Sequence, residues 1–343
     1  MHVSTQLESL RRRLCHLQEA IRASVLASRR RGAAQWRRVT AVTAADTIYA
    51  LDKISETVVL DWFETRWPRR EPVELVVEGL EEPGAVTFPR GTPVARTKWK
   101  CILDPVDGTR ELMHDKRSAW SLAALAPQRG AETNLSDLVV AAMTELPTSK
   151  AGLADQLSAV RGCGVWSERV DLRTGRGRKL GLRPSPAPTV AHGFASLVKF
   201  FPEGKAWLAT LEERLWRELK ISAASGGQPV FEDQYLSTGG QLYSLIAGHD
   251  RFIADLRPIA LRRLRLPGTA SLPCHPYDIC PALIAREAGC VITGPDGRPL
   301  RAPLDTTSPV AWVGYANPGL ARRIGPVLRK LLRGGWADSC RQA

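Results

Sequence analysis

The run Trp99-Lys100-Cys101-Ile102-Leu103 leads straight into Asp104-Pro105-Val106-Asp107-Gly108-Thr109. An apolar run of this length suits a buried strand. Its end carries two carboxylates three residues apart, a proline that stiffens the turn between them, and Gly-Thr at a helix start. Carboxylates at a buried strand end must meet cations or take up protons, because burial penalises the charged form. Oxygen donors so placed suit a hard divalent ion such as Mg2+, with the Val106 carbonyl as a further ligand. The Gly108 and Thr109 amides offer a docking point for a phosphate. The plainer alternative is a tight turn in which Asp104 or Asp107 only caps the following helix.

Around this segment the chain alternates strand-like and helix-like stretches. Leu7, Leu10, Leu14, Leu17 and Ile21 recur at helical spacing, predicting a helix over 5–30 with a capping box from Thr5 and Glu8. A second helix is predicted over 44–66, with Ile48, Leu51, Ser55, Val58 and Trp62 on one face, stopping at Pro68. Strands are predicted at PVELVVEG, WKCIL, residues 120–127 and residues 138–146, with a loop over 81–98. The Arg-, Gly- and Pro-rich stretch 171–190 reads as a connection and places a boundary between halves 1–180 and 181–343. Beyond it, residues 239–248 read as helix, 251–256 as strand, 257–276 as a basic loop, 278–289 as helix and 290–300 as a hairpin. Mixed strands and helices in this order predict layers of sheet and helix.

Composition narrows the partners. Lys and Arg number 48 against 35 Asp and Glu, a formal net charge of +13. Such a surface attracts anions, yet the arginine clusters at 11–13, 29–31 and 261–266 carry no interleaved aromatics of the kind that stack bases. They read as a solvated basic face, and a nucleic-acid partner is not expected. No apolar run reaches the roughly 20 residues of a membrane helix, and no secretory signal is read at the N-terminus. The seven cysteines show no CxxC spacing. They read as reduced, packed thiols of a cytoplasmic protein.

The segment Asp104 to Thr109 resembles the DPxDGT hallmark of the inositol monophosphatase family, and further matches follow in order over about residues 46–300. Glu78 ends the preceding strand, where the family has a metal-binding glutamate. Tyr277-Asp278 leading to Glu287-Ala288-Gly289 is similar to the family's late WDxAAxxLIxxEAGG pattern. Asp52, Glu56 and Pro68 resemble its upstream helix, with Asp46 as a rival for the aspartate and Glu81 or Glu82 as rivals for Glu78. Departures lie at Tyr277, Cys280, Pro281 and the long basic segment before Asp278, and bear on the substrate pocket more than on the metals.

The resemblance implies a five-layer α/β/α/β/α sandwich and a Mg2+-dependent phosphomonoester hydrolase acting on a phosphorylated small molecule, as a homodimer. It implies two Mg2+, with room for a third and weaker one near Glu78. Glu78, Asp104 and the Val106 carbonyl would hold one ion, and Asp104, Asp107 and Asp278 the other. Two divalent cations balance the four charges of those carboxylates. Asp52 and Thr109 would activate the attacking water. Gly108, Thr109, Gly240, Gln241, Arg257 and His275 are the candidate substrate contacts, while His114 reads as a loop residue. A 3′-phosphoadenosine-type nucleotide is the alternative substrate, and a non-catalytic anion-binding protein the alternative function.

Overall fold

The computed structural model describes residues 4–32, 36, 39–42, 47–80, 85–221, 229–267 and 272–334. Helix α1 (Thr5–Gly32) buries Leu10, Leu14, Leu17, Ile21 and Val25, as the spacing predicts. Glu8 does not reach back to cap: its carboxylate takes Arg11 and Arg12 one turn ahead, at 2.7 and 2.8 Å. The short strands β1 (Val39–Val42) and β2 (Thr47–Tyr49) pair antiparallel. Helix α2 (Ala50–Arg66) therefore begins later than predicted, because Thr47–Tyr49 is taken by β2. Its buried stripe is Leu51, Ser55, Val59 and Phe63, at strict i,i+4 spacing, with Val58 half-buried at its side.

Eight strands form the first sheet: β3 (Val73–Val77), β4 (Val86–Phe88), β5 (Trp99–Asp107), β6 (Ala119–Pro127), β7 (Val140–Leu146), β8 (Leu153–Val160), β9 (Val165–Asp171) and β10 (Gly177–Lys179). Their order is β10-β9-β8-β7-β6-β5-β3-β4, antiparallel except for β3 against β5. Helix α3 (Thr109–Met113) follows β5. Two expected connections carry strands instead. Val86–Phe88 pairs with β3 inside the predicted loop 81–98, and Gly177–Lys179 closes the sheet edge within 171–190. Both are three-residue edge strands among prolines and glycines, too short to show a period-two pattern.

The second sheet has the order β11 (Phe194–Leu197), β12 (Asp250–Asp255), β14 (Trp312–Tyr315), β13 (Val291–Thr293). Between its strands run α4 (Lys205–Glu218), α5 (Thr238–Ile246), α6 (Arg257–Leu264), α7 (Pro276–Ile279) and α8 (Ala282–Glu287), and α9 (Pro318–Arg333) follows β14. Here three expectations fail. The basic segment after β12 forms α6, because Pro258 sits in its first turn, where a missing N–H costs nothing. The helix expected over 278–289 is two short ones, since Pro281 cannot donate to the Tyr277 carbonyl and ends α7. The turn at Pro295–Gly297 forms, but β13 pairs with β14 rather than with residues 298–300.

The layers run α1 and α2, the eight-stranded sheet, α5 with α7 and α8, the four-stranded sheet, then α4 and α9. This is the expected five-layer α/β/α/β/α sandwich. Two cores fill it. One, under α1 and α2, includes Leu14, Phe63, Phe88 and Leu103. The other runs between the sheets and joins Ile102, Trp120 and Leu122 to Leu197, Leu242, Phe252 and Trp312. Polar bonds support the packing: buried Gln18 of α1 donates to the Ser121 and Ala142 carbonyls, both at 2.9 Å. Glu287 of α8 accepts from the Gly162 and Gly164 amides in the β8–β9 turn at 2.7 and 2.8 Å.

Candidate active site

Side chains alternate faces along a strand, so residues three apart should point to opposite sides of the sheet. Asp104 and Asp107 escape this because β5 is irregular between them. Asp104 pairs with Leu122 and Asp107 with Trp120, so three steps on β5 oppose two on β6. One extra residue in a bulge restores a common face, and it lies at Pro105–Val106, where proline could not have donated to the ladder anyway. The Val106 amide turns back to Asp104 Oδ1 at 2.9 Å.

Asp278, in the first turn of α7, completes the cluster. One oxygen from each of Asp104, Asp107 and Asp278 lies within 4.8 Å of the others. This is the one group of three or more metal-type donors found among the described residues. Asp278 is placed by its own backbone turn, its Oδ2 accepting from the His275 amide at 2.6 Å. Glu78 follows β3, its amide donating to the Leu103 carbonyl at 3.1 Å, and its carboxyl group hydrogen-bonds Asp104.

Electrostatics mark this as a site short of positive charge. Burial pushes Asp104 well above the ordinary carboxylate range, and the charges of Glu78, Asp107 and Asp278 push it further. Asp278 is raised in the same way, by burial and then by Asp107 and Glu78. Asp107 rises only to about 6, because burial is opposed by the Ser237 hydroxyl and by the Gly239 and Thr238 amides. The donors are all oxygen, buried at Asp104 and Asp107 and half-buried at Asp278 and Glu78, and mutually repelling, which suits a hard divalent cation and not a soft one.

Ser237 and Gly239 are site residues that the sequence reading passed over. Ser237 Oγ donates to Asp107 Oδ2 at 2.7 Å and the Gly239 amide to the same oxygen at 2.6 Å. Ser237 also caps α5, so the helix start is aimed at Asp107. Glycine is needed there, since a Cβ on Gly239 would stand 2.6 Å from Leu122 and 3.0 Å from Asp107 Oδ2. Gly108, at φ +98°, likewise lets β5 turn into α3, and a Cβ on it would stand 3.1 Å from Ser237 Cβ. A serine followed by Thr-Gly-Gly before an apolar helix was the available signal.

The remaining candidates divide. Thr109 Oγ1 donates to the Val106 carbonyl at 2.7 Å, at the edge of the cluster. Gly240 packs beneath the Tyr235 ring, and the Gln241 amide donates to the Tyr235 carbonyl at 2.6 Å. They follow Gly239, whose amide meets Asp107, by one and two residues in α5. Arg257 is buried and grips Asp255 with two bonds, Nε to Oδ1 at 2.9 Å and Nη2 to Oδ2 at 2.6 Å. It lies over the Phe200 ring, and its charge helps hold Asp107 and Asp278 down. His275 is buried, with Nδ1 3.0 Å from the Tyr277 hydroxyl and its ring stacked on that of Tyr277. His114 is exposed at the end of α3. Asp52 falls in α2, but its side chain lies outside the described atoms, as do the rivals Asp46, Glu81 and Glu82.

Glu111, in α3, was also missed. It is 3% exposed, neither carboxylate oxygen makes a well-formed hydrogen bond, and burial raises its pKa to about 7 against the pull of Arg117, Lys116 and the Leu236 amide. Five of the six described cysteines are buried and all six are free thiols, while Cys340 lies outside the described residues. No helix among the described residues is long and apolar enough to cross a membrane.

No protein-family model matches the chain, and no curated protein matches it in sequence. Solved structures do match in shape. The extragenic suppressor protein suhB from Bartonella henselae superposes with a TM-score of 0.63 at 16% identity, over 95% of this chain and 99% of that one. The fructose-1,6-bisphosphatase of Leishmania major gives 0.65 at 14% identity, over 93% and 92%. Inositol monophosphatase I from Staphylococcus, solved with its products, gives 0.60 at 13% identity over 97% of each chain. With superpositions that cover more than nine-tenths of each chain, the chain has the fold shared by inositol monophosphatase and fructose-1,6-bisphosphatase structures.

Proposed function

We propose that this protein is a metal-dependent phosphomonoester hydrolase that directs water onto a sugar or polyol phosphate. The observation that carries the proposal is the bulged end of β5, which gathers Asp104 and Asp107 with Asp278 at one buried point beside Glu78. Glu78, Asp104 and the Val106 carbonyl would hold one Mg2+, and Asp104, Asp107 and Asp278 a second. Bound there, the ions would neutralise the carboxylates and the phosphate and acidify a nearby water. Phosphoryl transfer is largely a matter of positioning and charge, so no covalent intermediate with the protein is required.

The chain's own groups have separable tasks. The Thr109 hydroxyl donates to the Val106 carbonyl, so it meets a water as an acceptor. Asp52 takes the proton that this water loses as its oxygen bonds to phosphorus and the bond to the leaving alcohol breaks. The Gly108 and Thr109 amides meet phosphate oxygens. Ser237 and Gly239 keep Asp107 ionised and fixed, since each hydrogen bond to a carboxylate favours its charged form. Arg257 and His275 line the same end of the site as Asp278 and would border the alcohol portion.

The test is phosphate release from inositol monophosphate, fructose 1,6-bisphosphate, a 3′-phosphoadenosine phosphate and an aryl phosphate. Each is assayed with Mg2+, with chelator and with Asp104→Asn. Release that needs the metal and disappears in the variant is the expected result. Release that survives chelation, or survives Asp104→Asn, would overturn the assignment. Absence of turnover from every compound would favour an anion-binding protein on this fold.

A further inference from the structure

A cavity of about 330 Å3 lies on the far side of the second sheet, where α9 crosses the edge strand β13. Its walls are Val291, Thr293 and Tyr315 from the sheet, Gly297 from the turn after β13, and Ala321, Arg322, Pro326 and Arg329 from α9. The sheet separates it from the acidic centre. Gly314, next to Tyr315, faces α5 on the inner side, where a Cβ would stand 2.6 Å from Leu245 Cδ1. Tyr315 and its cross-strand partner Val291 therefore face outward, towards α9.

The guanidinium of Arg329 is given room by the backbone. A Cβ on Gly297 would stand 2.7 Å from Arg329 Nη1, and one on Gly325 would stand 3.1 Å from the same atom and 3.3 Å from the Tyr315 hydroxyl. Glycine and then proline in the middle of α9 oppose helix formation, by about 1 and about 3 kcal/mol in exposed helix interiors. Gly325 is what admits the guanidinium and the phenol side by side.

The charge there is unbalanced. Neither Arg322 nor Arg329 has an ion pair or a hydrogen bond among the described residues. The nearby carboxylate, Asp296, is engaged within its own turn: Oδ1 accepts from the Arg298 amide at 3.0 Å, and Oδ2 lies 3.9 Å from Arg298 Nε. Helix α9 itself contains no acidic residue. Half-buried Val291 and Ala321, with exposed Pro326, give the cavity apolar surface beside the two cations.

We propose that this cavity is a second ligand site, separate from the acidic centre, which takes a small phosphate- or phosphonate-type dianion carrying an apolar group. Two guanidiniums match the double charge, and forked N–H donors match its oxygens. The Thr293 hydroxyl adds a donor, and the apolar surface of Val291, Ala321 and Pro326 covers the apolar part.

Phenylphosphonate is a suitable probe, since its C–P bond resists phosphatase cleavage. Its binding is measured by titration calorimetry with chelator present, so that no metal at the acidic centre recruits it. The expected result is saturable one-to-one binding, weakened about tenfold or more in Arg322→Gln/Arg329→Gln. Binding should be unchanged in Arg323→Gln, which alters an exposed arginine of α9 outside the cavity, and in Asp104→Asn. Absence of saturable binding would overturn the proposal, as would equal binding by the double variant or loss of binding in Asp104→Asn. Thermal unfolding of the ligand-free variants, expected to match wild type, separates a lost site from a lost fold.

Discussion

Without metal, the acidic centre should make the protein less stable as pH rises, and Asp104→Asn should flatten that dependence. Asp107 gives the scale. Its folded-state pKa is about 6, against an ordinary 3.8. A raised carboxylate pKa means that the folded chain keeps a proton which the unfolded chain releases. The stabilisation is therefore complete below the ordinary pKa and is lost as pH rises through about 6. A shift of about two units corresponds to roughly 3 kcal/mol, of which about 1.4 kcal/mol falls between about pH 5 and pH 8. Asp104 and Asp278 are raised for the same reasons and add to the loss in the same direction. The assay is urea unfolding near each pH, with chelator and with Mg2+. The chelated protein should lose more than about 1.5 kcal/mol between the two conditions. Mg2+ at about 100 times its dissociation constant should restore roughly 2.7 kcal/mol at the higher pH. Asp104→Asn should shrink the pH-dependent loss and remove the response to Mg2+. A chelated stability that is flat or rises with pH would refute the electrostatic account, as would an unchanged pH profile in Asp104→Asn.

Other outcomes follow from single contacts. Glu111 carries a folded pKa of about 7 against an ordinary 4.5. The stability of Glu111→Gln relative to wild type should therefore grow between about pH 4 and pH 8, by about 1–2 kcal/mol once solvent screening is discounted, as measured by chelated urea unfolding. Gly239→Ala would push a methyl into Leu122 and Asp107. It should cost about 1–3 kcal/mol of stability and weaken Mg2+ binding, read by calorimetry, with Gly240→Ala as a comparison that strikes Tyr235 instead. Arg257→Met strands Asp255, which is fully buried, and should destabilise by about 3–5 kcal/mol, whereas Asp255→Asn/Arg257→Met should recover much of the loss in the same unfolding assay.

Much of the local structure was legible in the chain because local rules govern it. The apolar stripe of α1, the strand β5 and the acidic motif at its end are all patterns of residue type and spacing, and they carried the resemblance that anticipated five layers. Where context outweighs local preference, the sequence misled. Pro281 splits a helix that apolar spacing alone would continue, while Pro258 opens one in a stretch that read as loop. The short edge strands β4 and β10 owe their existence to the neighbour each pairs with. The acidic centre shows the division best. Composition and spacing determine that Asp104 and Asp107 sit at the end of a buried strand. Only the pairing of β5 with β6 creates the bulge that turns both to one face, and only packing of α5 and α7 against that face supplies Ser237, Gly239 and Asp278. Strand periodicity is a property of one chain segment, whereas register and convergence belong to pairs of segments far apart in sequence.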